Sequence, residues 1–459
     1  MAVQILQPFD RTVIAEIEAD DVASLDRKLE AARKAFFTRT SWLPLAERVA
    51  ILTRVADRIA AERDRLALQI AREGGKPLSD ALVEVDRAAD GVRNAYEALR
   101  SFGGTEIAMG YTSASDGRRA FTIREPIGIV AAISAFNHPL NLIVHQVAPA
   151  IAVGAPVIIK PAHQTPLSCR DFVSIVHQCG LPEPWCQMIY TDDLTLAEKF
   201  AIDPRIAFLS FIGSARVGWS LRRKVADGVR VALEHGGTAP AIIAADADLD
   251  MIISALAKGS FYHSGQVCVS TQRIFVHAHL ADEFIDRFSN RVGNLRVGDP
   301  TDYDTEVGPL ISPHETDRVE QWVEEARMGG AQILLGGRLS TTTLKPAIVL
   351  NPPQNSRLAT GEVFGPVVTI QRFTALDEAI AIANDTDFAF QASIFTRDLE
   401  TALAASERLN AGAVLINDHT AFRTDWMPFA GLRRSGYGIG GIPYTMRDFT
   451  HEKMIVLRR

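Results

Sequence analysis

Residues 127–133 read IGIVAAI, and the chain continues through FNHPLN (136–141) into a helical segment. The run is too short for a helix and lacks the polar alternation of a half-exposed strand. An unbroken apolar run of this length suits a parallel strand buried on both faces. Four further runs have the same character: PVIIK (156–160), IAFLSF (206–211), VRVAL (229–233) and PAIIA (240–244). Helical segments separate them. Strands spaced by helices predict a doubly wound α/β sheet with its ligand at the carboxyl ends of the strands.

Upstream, the first hundred residues read as helix. LAERVAILTRVADRIAAERDRLAL (45–68) repeats apolar residues at three and four positions, and SDALVEVDRAADGVRNAYEALR (79–100) follows the breaker GGKP (74–77). Downstream, a second α/β series begins after residue 265. It comprises QRIFVHA (272–278), a helix around 316–327, AIVL (347–350), VVTIQRF (367–373) and AGAVLIN (411–417), with MIVLRR (454–459) as a terminal strand.

A chain of 459 residues exceeds one compact core, so at least two domains are expected. A net charge of −7 with no dominant basic patch argues against nucleic acid as a partner. The N-terminus has no basic start leading into an apolar run, and no stretch reaches the about 18 apolar residues of a membrane span. Cys169, Cys179, Cys186 and Cys268 form no C-x-x-C pair, so no metal is expected. Four thiols in so long a chain fit a reducing cytoplasm.

Five motifs carry chemistry. Asn137, just past the strand at 127–133, can donate its amide to a ligand oxygen or cap the next helix. Lys160 ends a buried strand, where it reaches water or a ligand. In FLSFIGSARVG (208–218), a strand runs into Gly213 and Ser214 before a helix opens; that start can bind phosphate or form an ordinary tight turn. Glu234 ends a strand before two glycines, either as a general base or as a surface carboxylate. Cys268 sits at a helix–strand junction in HSGQVCVSTQR (263–273), as an activated thiol or a small core residue.

Together with GEVFGP (361–366) and PFAGLRRSGYGIGG (428–441), these motifs resemble the aldehyde dehydrogenase superfamily in order and spacing, over nearly the whole chain from PFDRTVIAEI (8–17) to FTHEKMIVL (449–457). The resemblance implies a Rossmann-type NAD(P)-binding domain (1–109 and 126–236), an α/β catalytic domain (237–441) and a small β oligomerisation element (110–125 and 442–459). It implies oxidation of a small aldehyde to its acid through a thioester on Cys268. Asn137 and the Cys268 N–H would hold the oxyanion, and Glu234 would activate the hydrolytic water. Lys160 would bond the adenosine ribose, and Gly213 and Ser214, with Gly218 nearby, would hold the pyrophosphate. Glu362 would bond the nicotinamide ribose, Phe364 would pack near the nicotinamide and Phe136 would line the cleft. Gln266 and Arg423 would contact substrate. A homodimer or homotetramer is implied.

His163 stands where many members carry a carboxylate that repels a 2′-phosphate. A histidine lacks that repulsion, so NADP is expected to be accepted beside NAD, with a lean towards NADP. FNHPLN and NDHTAFRTDWMPF (417–429) resemble the branch holding lactaldehyde and phosphonoacetaldehyde dehydrogenases. Arg423 would then grip an anionic tail. Arg118, Arg119 and Arg124 suit a surface or subunit interface. Transfer of the acyl group to coenzyme A, and a binding protein that kept the fold, are the competing readings. Glu234 favours water over coenzyme A, and the set of Cys268, Glu234 and Asn137 favours catalysis.

Overall fold

The computed structural model describes residues 2–458. All five apolar runs are strands: Ile129–Ile133, Val157–Lys160, Ile206–Ile212, Arg230–Glu234 and Pro240–Ile243. The first four lie in a six-stranded sheet. Across it the order is Gly436–Tyr437, Arg230–Glu234, Ile206–Ile212, Ile129–Ile133, Val157–Lys160 and Cys186–Met188. Ile129–Ile133 is the earliest of these in the chain, yet it sits inside the sheet, flanked by parallel neighbours on both sides. The strand order reverses there, so the loops after Ile133 and Ile212 diverge and leave a crevice at the carboxyl ends.

Both faces of this sheet are covered. On one side Ile51, Leu52, Val85, Val144, Val147 and Phe172 belong to a single core. On the other, Leu25, Leu29 and Phe200 pack with Ala131, Ile158 and Leu209. A fully buried side chain of this size contributes about 1.5–3 kcal/mol, which is why the strands need no polar face.

Pro240–Ile243 opens a second, seven-stranded sheet with Arg273–His277, Ala347–Leu350, Val367–Phe373, Gln391–Phe395 and Ala413–Ile416. Its strands are parallel except at one edge, where Gln332–Leu335 pairs antiparallel with Ala347–Leu350. A third sheet joins Thr450–Arg458, Arg118–Pro126 and Glu106–Ile107. Phe121, Met454, Val456 and Leu457 stay exposed on it. No helix among the described residues is long and apolar enough to cross a membrane.

Four expectations change. The N-terminus is not helical throughout: Ala2–Leu6 and Val13–Glu18 form an antiparallel hairpin, short and half-exposed, so its period-two signal is faint. The helix expected over 45–68 breaks at Glu62 into Leu45–Ala61 and Arg63–Gly74, where the Glu62 carboxylate accepts from both Arg58 and Arg65. Gly436–Tyr437 pairs with Leu233 and Glu234 of the first sheet, so the chain re-enters the first unit before residue 441. Helix Ile442–Asp448 belongs there too, because Ile442, Met446 and Phe449 are part of its core. Only the strand from Thr450 onwards joins the third sheet.

Candidate active site

The crevice opens into a cleft of about 1630 Å³ walled by both large units. Asn137, Phe136, Gly213, Ser214 and Glu234 reach it from the first unit, and Cys268, Glu362, Phe364 and Arg423 from later segments.

Asn137 follows strand Ile129–Ile133. It is not the cap of the next helix, because the first N–H groups of Asn141–Val153 are already taken. The buried Glu84 carboxylate accepts from Leu140 N (2.9 Å) and Asn141 N (3.1 Å). Glu84 is itself paired with the fully buried Lys76. Breaking a buried pair of this kind costs about 3–5 kcal/mol, so the loop carrying Asn137 is held firmly. The Asn137 amide donates one N–H to the Gln266 carbonyl at 2.9 Å, two residues before the cysteine. Its second N–H is left to a ligand.

The nucleophile loop is held by backbone strain and by Gln266. His263, Ser264 and Gly265 adopt φ of 47°, 57° and 69°. A Cβ on Gly265 would lie 2.2 Å from the Gly365 carbonyl oxygen, so only glycine lets the loop press against GEVFGP. Gln266 is wholly buried, with its amide bonded to His263 O, Pro309 O and Ile311 N. It therefore does not contact substrate, as the sequence had suggested; it braces the loop from behind.

Cys268 is half-buried in the cleft wall, whereas Cys169, Cys179 and Cys186 are buried. Burial pushes its thiol up to about 12, with Arg423 pulling down and Glu234 and Glu362 pushing further up. Burial thus favours the neutral thiol at rest. Glu234 is also raised by burial, with Arg423 opposing. Its carboxylate lies against Gly440, where a Cβ would fall 2.3 Å from Oε1.

At the other end of the cleft, Glu362 accepts no hydrogen bond among the described residues, and burial raises it to about 8. Its carboxylate crosses Gly236, where an added Cβ would lie 1.4 Å from Oε1. Phe364 holds φ of 49° and meets Phe136 edge-on at 5.7 Å. Gly213 and Ser214 precede helix Ala215–Arg222; the Gly213 N–H donates to Glu234 O at 3.0 Å, but the Ser214 side chain does not cap the helix, so its first N–H groups remain free at the cleft. Open donors, a ring pair and an unengaged carboxylate fit a nicotinamide dinucleotide.

Two cofactor expectations, Gly218 and Lys160, change. Gly218 does not line the cleft: it makes room for His235, whose Cε1 would lie 2.1 Å from an added Cβ. The His235 Nδ1–H donates to Gly213 O at 2.7 Å, so this histidine shapes the turn from beneath. Lys160 is not among the lining groups either; its ammonium donates to Pro161 O at 3.3 Å. That bond uses one of the three ammonium donors. His163 does line the cleft, but burial and then Lys160 lower its pKa, against Asp192, so the ring is neutral.

Arg423 lies at the substrate end with Cys268, Tyr262 and Phe429. Its guanidinium stacks 3.5 Å above the Phe429 ring. One terminal nitrogen donates to His145 Nδ1 at 3.2 Å, and Nε is buried without a partner. Arg87, His145 and Asp425 lie close by and carry no local motif that would flag them in the sequence.

This site matches known proteins along its whole length. The chain belongs to the aldehyde dehydrogenase family, whose description covers residues 1–455. It is 36% identical to a lactaldehyde dehydrogenase of Methanocaldococcus jannaschii, covering 99% of this chain and 97% of that one. It is 34% identical to a 3-sulfolactaldehyde dehydrogenase of Priestia aryabhattai, covering 99% and 94%. Its fold matches the crystal structure of glyceraldehyde-3-phosphate dehydrogenase GapN from M. jannaschii complexed with NADP, with a TM-score of 0.95, 35% identity and 99% of each chain covered. The protein is an NAD(P)-dependent aldehyde dehydrogenase of this fold.

Proposed function

We propose that the enzyme oxidises a small aldehyde with an anionic tail to its carboxylic acid through a thioester on Cys268. The observation that carries this reading is the convergence of Cys268, Asn137, Glu234 and Arg423 on one cleft.

The Cys268 thiol must lose its proton before it attacks. Glu234, whose charge bears on the sulfur, is the group that accepts it. As the sulfur adds to the aldehyde carbon, the oxygen gains charge. The free Asn137 N–H and the Cys268 N–H stabilise that charge by about 3–4 kcal/mol per donor. The nicotinamide, when bound, supplies the two-electron acceptor. Glu362, Phe136 and Phe364 orient it, and Gly213 and Ser214 hold its pyrophosphate. Glu234 then takes a proton from the water that hydrolyses the thioester. That use of water favours the free acid over a coenzyme A ester.

Arg423 grips the tail. Relatives named for 3-sulfolactaldehyde and for aspartate semialdehyde are consistent with a small charged aldehyde. Position 163 bears no carboxylate, so NADP is accepted beside NAD and favoured. With His163 neutral, the preference rests on missing repulsion and on the Lys160 charge. The third sheet, with its exposed apolar face, joins subunits into a dimer or tetramer, and the enzyme works in the cytoplasm.

One set of assays tests the reading: kcat/KM for 4-oxobutanoate and for butanal, with NAD+ and with NADP+, without coenzyme A. The expected result is free acid, a preference for the charged aldehyde, and NADP+ at least matching NAD+. Arg423→Ala is expected to raise KM for 4-oxobutanoate by about tenfold or more, the scale of a lost charged hydrogen bond. An unchanged KM would end the grip, and a strong NAD+ preference would end the NADP assignment.

A further inference from the structure

Beneath Arg423 lies a set of buried polar groups that the chemistry above does not use. His145 sits on helix Asn141–Val153 and is almost wholly enclosed. Its Nε2 lies 2.7 Å from Asp425 Oδ1, and its Nδ1 lies 3.2 Å from a terminal nitrogen of Arg423. A guanidinium only donates, so Nδ1 must accept and be unprotonated. The ring proton therefore sits on Nε2 and is donated to Asp425. Burial, and after it the Arg423 charge, pushes the imidazole down to about 4, so the neutral ring persists at physiological pH.

Asp425 also faces a cation. Arg87 donates to its Oδ1 at 2.6 Å and to its Oδ2 at 3.2 Å. Asn141 Nδ2 adds a contact at 3.3 Å. Arg87 also lines the cleft, but its charge is answered by this carboxylate. Arg423 has no such partner. It has a neutral acceptor, an aromatic ring beneath it and a buried Nε without a partner.

We propose that His145 is a positioning residue which, held by Asp425, accepts the Arg423 guanidinium and aims its remaining donors at the anionic tail of the substrate. Asp425 sets the direction of the chain by engaging Arg87 and by taking the Nε2 proton, and so leaves Arg423, not Arg87, to select the tail. A neutral acceptor suits this task, because a carboxylate in the place of His145 would neutralise the charge meant for the substrate. This inference rests on the reading of Arg423 as the tail-binding group.

The test measures the ratio of kcat/KM for 4-oxobutanoate to that for butanal in the wild-type enzyme with cofactor and in three variants. In His145→Asn, the short amide oxygen reaches the place of Nδ1 and can still accept from Arg423. In His145→Gln, the longer amide reaches the place of Nε2 and meets Asp425 instead. The ratio is expected to fall about tenfold or more in His145→Gln and to stay within about threefold of wild type in His145→Asn, the scale of a hydrogen bond to a charged group. A wild-type ratio in His145→Gln beside a lowered one in Arg423→Ala overturns the role of His145 and leaves Arg423 in place. A wild-type ratio in Arg423→Ala overturns the underlying reading. Equal losses in the Gln and Asn variants, or a parallel loss on both aldehydes with the ratio unchanged, reduce His145 to packing and overturn the proposal. Neutron diffraction from wild-type crystals needs no variant: a deuteron on Nε2 is expected, and one on Nδ1 overturns the assignment.

Discussion

At the end of the cleft where Ser214, Glu362 and Phe364 meet, the Glu362 carboxylate and the first N–H groups of the helix are left without protein partners, whereas at the end holding Arg423 almost every group is engaged. Glu362 accepts no hydrogen bond among the described residues, and the helix start at Ser214 has no side-chain cap. By contrast, Arg87, Asp425, His145 and Arg423 form a continuous buried chain. The difference teaches how one cleft serves two ligands. A large dinucleotide brings many donors and acceptors of its own, so its end of the cleft can wait open. A small aldehyde brings few, so the protein must fix the geometry beforehand, and a preorganised site loses less on binding.

The sharpest way to break this comparison is at its meeting point. Cys268→Ala is expected to lower kcat for aldehyde oxidation by on the order of 10⁴-fold, the scale of a lost nucleophile, while binding of NADP+ measured by fluorescence persists. Retained turnover would move the chemistry elsewhere.

Glu234→Gln comes next. Loss of a general base costs about 10²–10⁴-fold in the steady state. Because Glu234 takes the thiol proton as well as that of the water, rapid mixing should show the burst of reduced cofactor slowed along with the steady state. A full burst, with the acyl group found on Cys268 by mass spectrometry, would confine Glu234 to hydrolysis.

Gly236→Ala probes the open end alone. The added methyl overlaps the Glu362 carboxylate, so KM for the cofactor is expected to rise by about tenfold, with a smaller change in KM for the aldehyde. Equal changes in both would mean that the two ends are not independent.

The smallest effect is a pH dependence without substrate. A group whose pKa is raised stays protonated as pH rises towards it, so the thiolate fraction of Cys268 is minor at pH 7. Iodoacetamide alkylation of the ligand-free enzyme should therefore climb about tenfold per pH unit from 7 to 9, without levelling near 8. A plateau by pH 8 would show a thiolate already formed.

Much of this was legible in the chain. Runs such as 127–133 and 206–211 are apolar without alternation, and that pattern has few other stable destinations than a strand covered on both faces. The seven ordered motifs located Cys268, Glu234, Asn137, Glu362 and Phe364, and all five line one cleft. The N-terminal hairpin escaped because its strands are brief and half-exposed, which leaves little hydrophobic pattern to read. Gln266 and Gly218 were given ligand roles because they neighbour motif residues, yet the side chain of one and the face of the other meet partners further along the chain, Ile311 and His235.

The sequence by itself determined the α/β class and the family and singled out the candidate reacting groups, because those depend on local pattern and on which functional atoms are present. Only the tertiary structure decided the protonation of Cys268 and His163, the burial of Gln266, the closeness of Glu234 to Gly440 and the joining of Arg87, Asp425, His145 and Arg423. Charge state and orientation follow from desolvation and from hydrogen-bond partners, and many of those partners are brought together only when the chain folds.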